Sequence, residues 1–249
     1  AFPYLCPSDM KTGVIGSGTM GAGIARVAAM AGETVCVIDN AQLALDKARQ
    51  ELQDWLEKRV NEGKMDEEQA SQIWNRIHWI SSIHDVQDLD LVIEAIVEKL
   101  EVKQQLFKQL EEILGPNTIL ATNTSSLSVT SIASACSKPE RVIGLHFFNP
   151  APVMELVEVI PALQTDEQVV QQCLTLMTAW KKKGVLAKDT PGFIVNRIAR
   201  PYYSEAIRIV EEGIAQTEVV DTVMKQYGGF RMGPFELMDL IGHDVNYTV

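Results

Sequence analysis

The chain has 249 residues, enough for one large domain or two unequal ones with ample material for a core. Apolar residues make up 46% and the mean hydropathy is close to zero, an ordinary globular composition. A formal net charge of −11 argues against broad nucleic-acid binding and against an anionic membrane surface, while leaving room for a locally positive phosphate site.

No apolar run approaches a membrane span. Residues 1–10 have no basic segment followed by an apolar one, so they read as a lead outside the fold rather than a signal peptide. The first strand ends at Gly13 to Ile15. Gly16, Gly18 and Gly21 then fall at G-x-G-x-x-G spacing, followed by the helix-forming run Ala22 to Ala31, a stop at Gly32, a strand over Glu33 to Ile38, and Asp39 at its end. Gly16 permits the tight strand-to-helix turn, a side chain at Gly18 would hold a pyrophosphate off the backbone, and Gly21 lets helix and strand pack closely. The helix directs its free N–H groups and positive dipole end at the phosphates. Asp39 is placed to accept from ribose hydroxyls and to repel a 2′-phosphate, which predicts NAD over NADP. The glycines alone would equally serve a structural turn. Strand, turn, helix, strand and acid in order make the signature specific.

Asn40 to Gly63 reads as one long amphipathic helix carrying Leu45, Leu52, Leu56 and Val60, with Asn40 as its N-cap. A second helix starts at Asp66 and runs to about Asn75; the pair either shapes a substrate cleft or is a solvated hairpin. Strands are expected at 77–81, 89–95, 118–121, 142–147, 156–160 and 185–187, and helices at 99–114, 129–135 and 166–183. After Thr190-Pro191-Gly192 the pattern turns helical throughout, at 193–212, 218–226 and 234–241. The expected class is therefore α/β: a Rossmann-type, doubly wound, mostly parallel sheet over residues 11–188, followed by a small all-α domain over 189–249. That second part is short for an independent core, so it is expected to be truncated or to pack on the first domain or a second subunit. Cys6, Cys36, Cys136 and Cys173 form no C-x-x-C pair and read as reduced thiols of a cytoplasmic protein.

Oxidising an alcohol by hydride removal needs a base for the hydroxyl proton. His78 and His84 sit in polar company and read as surface residues, and His243 follows a glycine near a helix end. His146 ends an apolar strand before Phe147-Phe148-Asn149-Pro150, at the carboxyl end where such sheets bind ligands. Glu158 interrupts the strand-like Leu156 to Ile160. A buried carboxylate is costly unless paired, and bonded to an imidazole it would fix the tautomer and raise the basicity. Otherwise Glu158 faces outward, as Glu155 on the other strand face is expected to do. Lys103 reads by pattern as a solvated charge near Glu98 and Glu101, Ser125 as a cap of the following helix, and Lys182 and Lys183 as surface charges. No His/Cys/Asp/Glu cluster has metal-ligand spacing.

Thr122-Asn-Thr-Ser-Ser126, His146-Phe-Phe-Asn-Pro-Ala-Pro-Val-Met154 with Glu158, Asp189-Thr-Pro-Gly-Phe-Ile-Val-Asn-Arg197, Gly228-Gly-Phe-Arg-Met-Gly-Pro234 and Met238-Asp-Leu-Ile241 together resemble the L-3-hydroxyacyl-CoA dehydrogenase family. The flavour is that of its 3-hydroxybutyryl- or 3-hydroxyadipyl-CoA branch, and the family's helical domain is longer than the piece here. The resemblance implies NAD-dependent oxidation of an (S)-3-hydroxyacyl-CoA, with His146 as general base and Glu158 as its orienting partner. It implies that Ser125 bonds the reacting oxygen near the nicotinamide and that Asn196 holds the substrate. On the cofactor side it implies contacts from Gly16, Gly18, Met20, Gly21, Asp39, Ile96, Glu98, Lys103, Ser125 and Asn149. It further implies an acyl-CoA partner and a homodimer formed through the helical domain. Lys58, Arg59 and Lys64 either meet the coenzyme A phosphates or form a solvated basic patch. The rivals are a non-catalytic NAD-binding protein on the same fold, and a β-hydroxyacid dehydrogenase using a lysine for proton transfer.

Overall fold

The computed structural model describes residues 10–86 and 88–242. The chain divides into two compact units, one ending at Asp189 and the other starting at Thr190.

The first unit is built on an eight-stranded sheet in the order β3-β2-β1-β4-β5-β6-β7-β8. Strands β1 (Lys11–Ile15), β2 (Thr34–Ile38), β3 (Ile77–Ile80), β4 (Leu91–Glu94), β5 (Ile119–Thr122) and β6 (Val142–Phe147) pair in parallel. Strand β7 (Leu156–Pro161) returns antiparallel to β6, and β8 (Lys183–Leu186) runs parallel to β7. Strands β4, β5 and β6 are buried along their whole length, which is why they read as continuous apolar runs. The chain leaves β1 toward β2 and β3, then crosses back to β4, so the topological switch point lies between β1 and β4.

Helices α1 (Thr19–Met30), α2 (Gln42–Asn61), α3 (Glu67–Arg76), α4 (Leu100–Ile113), α5 (Val129–Ala133) and α6 (Glu167–Ala179) complete this unit. Leu45, Ala48, Leu52 and Leu56 form the buried stripe of α2, while Val60 is only half-buried. Asn40 does not cap α2. The N-cap position is Ala41, whose N–H donates to the Asp39 carboxylate at 3.0 Å, because Asp39 ends the strand one turn ahead of the helix. Asp66 caps α3 in a reciprocal pair with Gln69, and Asp166 caps α6.

In the second unit, α7 (Val195–Glu211), α8 (Thr217–Gln226) and α9 (Pro234–Ile241) pack together. Buried Asp221 accepts from Phe235 N and Glu236 N at 2.9 and 3.0 Å, capping α9. Tyr202 stacks on Phe230 and donates to the Met232 carbonyl at 3.0 Å. Among the described residues this unit has no strand. His243 and Cys6 lie outside them.

Candidate active site

The glycine turn is the first part of the site. Gly16 has φ +99, and a Cβ there would come within 2.5 Å of the Ala95 carbonyl oxygen. A Cβ at Gly21 would collide with the Gly16 carbonyl, so these two glycines are demanded by the fold. Gly18 is not: a Cβ there would meet no protein atom within 4 Å. It is exposed at the N-cap of α1, where no side chain bonds the free N–H groups. That open cradle fits a pyrophosphate approaching the backbone. Met20 sits half-buried in the first turn of α1 and packs on the core.

Asp39 holds the other side of the turn. It accepts from Ser17 N and Ser17 Oγ, both at 2.8 Å. Partial burial pushes its carboxyl up, but the bonds from Ala41 and Ser17 outweigh this and leave it below the usual carboxylate range. It is therefore ionised at neutral pH. Beside it, Ile15, Ile38, Ile83, Ile96 and Leu106 help line an apolar cavity of about 420 Å³, suited to an aromatic base. Ser17 escaped the sequence reading, since only the turn geometry brings its hydroxyl to Asp39.

The next part lies at the ends of β4 and β5. Lys103 is not a solvated charge: it is 1% exposed, with Nζ at 2.5 Å from Glu94 and 3.2 Å from Glu98. Fully buried Glu94 also accepts from Ile96 N at 2.8 Å and Thr122 Oγ1 at 2.7 Å. Glu98 Oε1 accepts from Thr124 Oγ1 at 2.5 Å and from Ser125 N and Ser126 N at 2.8 and 3.1 Å. Burial raises the Glu98 carboxyl, but Lys103 and these donors overcome it and hold it low. Ser125 Oγ lies 3.3 Å from the same oxygen. The cap of α5 is Ser128, which leaves Ser125 in the turn before the helix.

The third part is the β6–β7 ladder. His146 and Glu158 are direct partners in the antiparallel register, and His146 Nδ1 lies 2.7 Å from Glu158 Oε2. Both side chains are buried, 7% and 1% exposed. With Nδ1–H donating to the carboxylate, the imidazole carries its lone pair on Nε2 and can act as a base. The Phe148 ring centroid is 4.5 Å from that of His146, and Phe147 N donates to Asn123 Oδ1 at 2.9 Å, tying β6 to the end of β5. Glu155 points outward and pairs with exposed Lys183 at 2.7 Å.

Lys182, expected on the surface, is buried; its Nζ donates to the Ala151 and Met154 carbonyls at 2.7 and 2.8 Å. It thereby clasps the loop between His146 and Glu158. On that loop exposed Asn149 lines a small cavity with Thr19, Ala22, Gly23 and Arg26. Asn196 belongs to the second unit, in the first turn of α7. Lys58 and Lys64 flank Glu62 at 4.0 and 2.8 Å, and the Arg59 guanidinium sits 5.3 Å from the Trp55 ring centroid. The histidines His78 and His84 are exposed.

Comparison with known proteins agrees with this geometry. Residues 11–190 match the NAD binding domain of 3-hydroxyacyl-CoA dehydrogenase, and residues 192–249 match the C-terminal domain of the same enzyme. The chain is 52% identical to the 3-hydroxyadipyl-CoA dehydrogenase of Escherichia coli over 95% of its own length and 50% of that protein. It is 45% identical to the human mitochondrial hydroxyacyl-coenzyme A dehydrogenase over 93% of its length and 76% of that protein. The crystal structure of a 3-hydroxybutyryl-CoA dehydrogenase from E. coli superposes with a TM-score of 0.94 at 51% identity, covering 96% of this chain and 51% of that one. The chain thus spans about half the length of the two E. coli proteins. With both family domains matched in order along one chain, the protein belongs to the 3-hydroxyacyl-CoA dehydrogenase family.

Proposed function

We propose that this protein oxidises an (S)-3-hydroxyacyl-CoA to the 3-oxoacyl-CoA, with NAD as hydride acceptor. The reading rests on one observation: a histidine bonded through Nδ1 to a buried carboxylate at 2.7 Å, at the carboxyl end of the sheet. His146 Nε2 receives the hydroxyl proton, and in the reverse direction returns it. Glu158 fixes the tautomer and stabilises the imidazolium that forms. Ser125 Oγ holds the reacting oxygen. Positioned general-base help of this kind contributes on the order of 10²–10⁴-fold.

When bound, NAD supplies the electron-pair acceptor; the residues that would hold it are Gly16, Gly18, Met20, Gly21, Asp39, Ile96, Glu98, Lys103, Ser125 and Asn149. Asn196 is assigned to the substrate on its match to the family motif. The same reading includes an acyl-CoA partner, a cytoplasmic setting and a homodimer formed through the helical part. The lysine-based rival loses its candidates. The Lys182 ammonium is engaged by two carbonyls, and Lys183 is paired on the surface with Glu155.

The test is NADH oxidation with acetoacetyl-CoA and longer 3-oxoacyl-CoAs, for the wild type, His146→Gln and Glu158→Gln. His146→Gln is expected to abolish turnover while NADH still binds. Glu158→Gln is expected to lower kcat by about 10²-fold or more. Near-normal kcat in His146→Gln would remove the base assignment. A wild type that binds NADH without turnover would leave only the non-catalytic rival.

A further inference from the structure

Glu94 has no part in the proton transfer above, yet it is the most deeply buried charge near the site. It is fully buried at the end of β4, and Lys103 beside it is 1% exposed. Lys103 serves two carboxylates, Glu94 at 2.5 Å and Glu98 at 3.2 Å. Among the described residues no second cation pairs with either acid. Two carboxylates and one ammonium leave the cluster with one uncompensated negative charge. Glu98, at 27% side-chain exposure, is the member that reaches the surface.

The location gives that charge a direction of action. The adenosine side of the cofactor is set by Asp39 at the end of β2 and by the apolar cavity beside it. A dinucleotide lies across the switch point. Its other half therefore lies on the β4–β5 side, above Glu98 and the Ser125 turn. An oxidised nicotinamide ring carries a positive charge and a reduced one does not. In a poorly screened site, a fixed negative charge separates the two forms.

We propose that Glu94 sets the charge of this cluster and biases the site toward the oxidised cofactor. The inference rests on the dehydrogenase reading and names a cofactor-selective role for a residue that reading does not use. Glu94→Gln tests it cleanly, because the hydrogen bonds survive the change. The amide oxygen can still accept from Ile96 N and Lys103 Nζ, which share Glu94 Oε1. The amide nitrogen then faces Thr122 Oγ1, whose hydroxyl turns from donor to acceptor.

Dissociation constants of NAD and NADH would be measured by isothermal titration calorimetry, without substrate. Glu94→Gln is expected to raise the ratio Kd(NAD)/Kd(NADH) by about fivefold or more, with Kd for NADH within about twofold of wild type. Thr122→Val removes the hydroxyl's two hydrogen bonds, to Glu94 and from Thr124 N, and no charge, and is expected to leave the ratio unchanged. Glu98→Gln neutralises the other acid and is expected to raise the ratio, which gives a second measurement if Glu94→Gln does not fold. A ratio that stays within about twofold in the glutamine variants would overturn the proposal. So would an equal rise in Thr122→Val, which would make the effect geometric. A wild type that binds neither NAD nor NADH would instead sink the dehydrogenase reading itself.

Discussion

Glu33 makes the first unit sensitive to pH, and the size of the effect follows from its surroundings. It precedes β2 at the end of the sheet away from the site and is fully buried. Its two oxygens accept from Thr12 Oγ1 at 2.5 Å and from Trp180 Nε1 at 2.6 Å. Burial pushes its carboxyl up to about 7 from the usual 4.5; the bonds from Thr12 and Trp180 pull it down only in part, and Asp90 adds to the rise. A folded value above the unfolded one means that the folded chain binds the proton more tightly. Stability is then highest below about pH 4.5 and falls as pH rises through 7. At about 1.4 kcal/mol per decade, the full loss is roughly 3 kcal/mol. Glu33→Gln keeps the acceptor for Trp180 and can donate to Thr12, but does not titrate. Its unfolding free energy is expected to match wild type within about 1 kcal/mol at pH 5 and to exceed it by about 2–3 kcal/mol at pH 8. Urea unfolding followed by tryptophan fluorescence measures this, since Trp55, Trp74, Trp79 and Trp180 all lie in the first unit. Taking the difference between variant and wild type cancels the titrating groups that do not interact with Glu33. A difference that stays constant from pH 5 to 8 would refute the reasoning.

Two further substitutions probe the site. Asp39→Ala removes the acceptor shared by Ser17 and Ala41 and the carboxylate meant for the ribose. It is expected to raise KM for NAD by about 10- to 100-fold and to narrow the preference over NADP, because hydrogen bonds to a charged group are worth roughly 1.5–3 kcal/mol. Unchanged KM values for both cofactors would count against that role. Lys182→Met leaves the Ala151 and Met154 carbonyls without their donor and is expected to destabilise the first unit by about 2–3 kcal/mol in urea unfolding. Its kcat is expected to fall by no more than about tenfold, whereas loss of a catalytic lysine would cost about 10³-fold or more.

The sheet was legible because its central strands are buried on both faces and read as unbroken apolar runs, and because Gly16, Gly21 and Asp39 punctuate the first crossover. The charged side chains were less so. Lys103 lies on α4 in a charged stretch with Glu98 and Glu101, where a pattern argument expects a solvated charge. Yet the helix turns that face onto the end of β4, and Glu94 and Glu98 take the ammonium inside. Lys182 follows an amphipathic helix within a run of lysines. Nothing in the sequence shows that the 148–155 loop passes over it and offers two carbonyls. Asn40 has the right chemistry for a cap, but the strand end puts Asp39 in reach of Ala41 instead. Glu33 reads as an ordinary strand-start acid, because its partners Thr12 and Trp180 are far away in the chain.

The reversal of direction at β7 is what makes the His146–Glu158 pair possible. A parallel strand after β6 would need a long crossover, and its residues would arrive with no fixed relation to the histidine. The short return through 148–155 lets β7 pair directly with β6, so the backbone ladder itself sets His146 opposite Glu158. The imidazole and its partner are then held by strand register rather than by two flexible side chains meeting from separate elements. What the ladder leaves loose is the loop that joins the two strands. Lys182 from the α6–β8 connection closes it at both the Ala151 and Met154 carbonyls. The ladder therefore fixes the distance from base to partner, and the lysine clasp fixes the loop that carries Asn149.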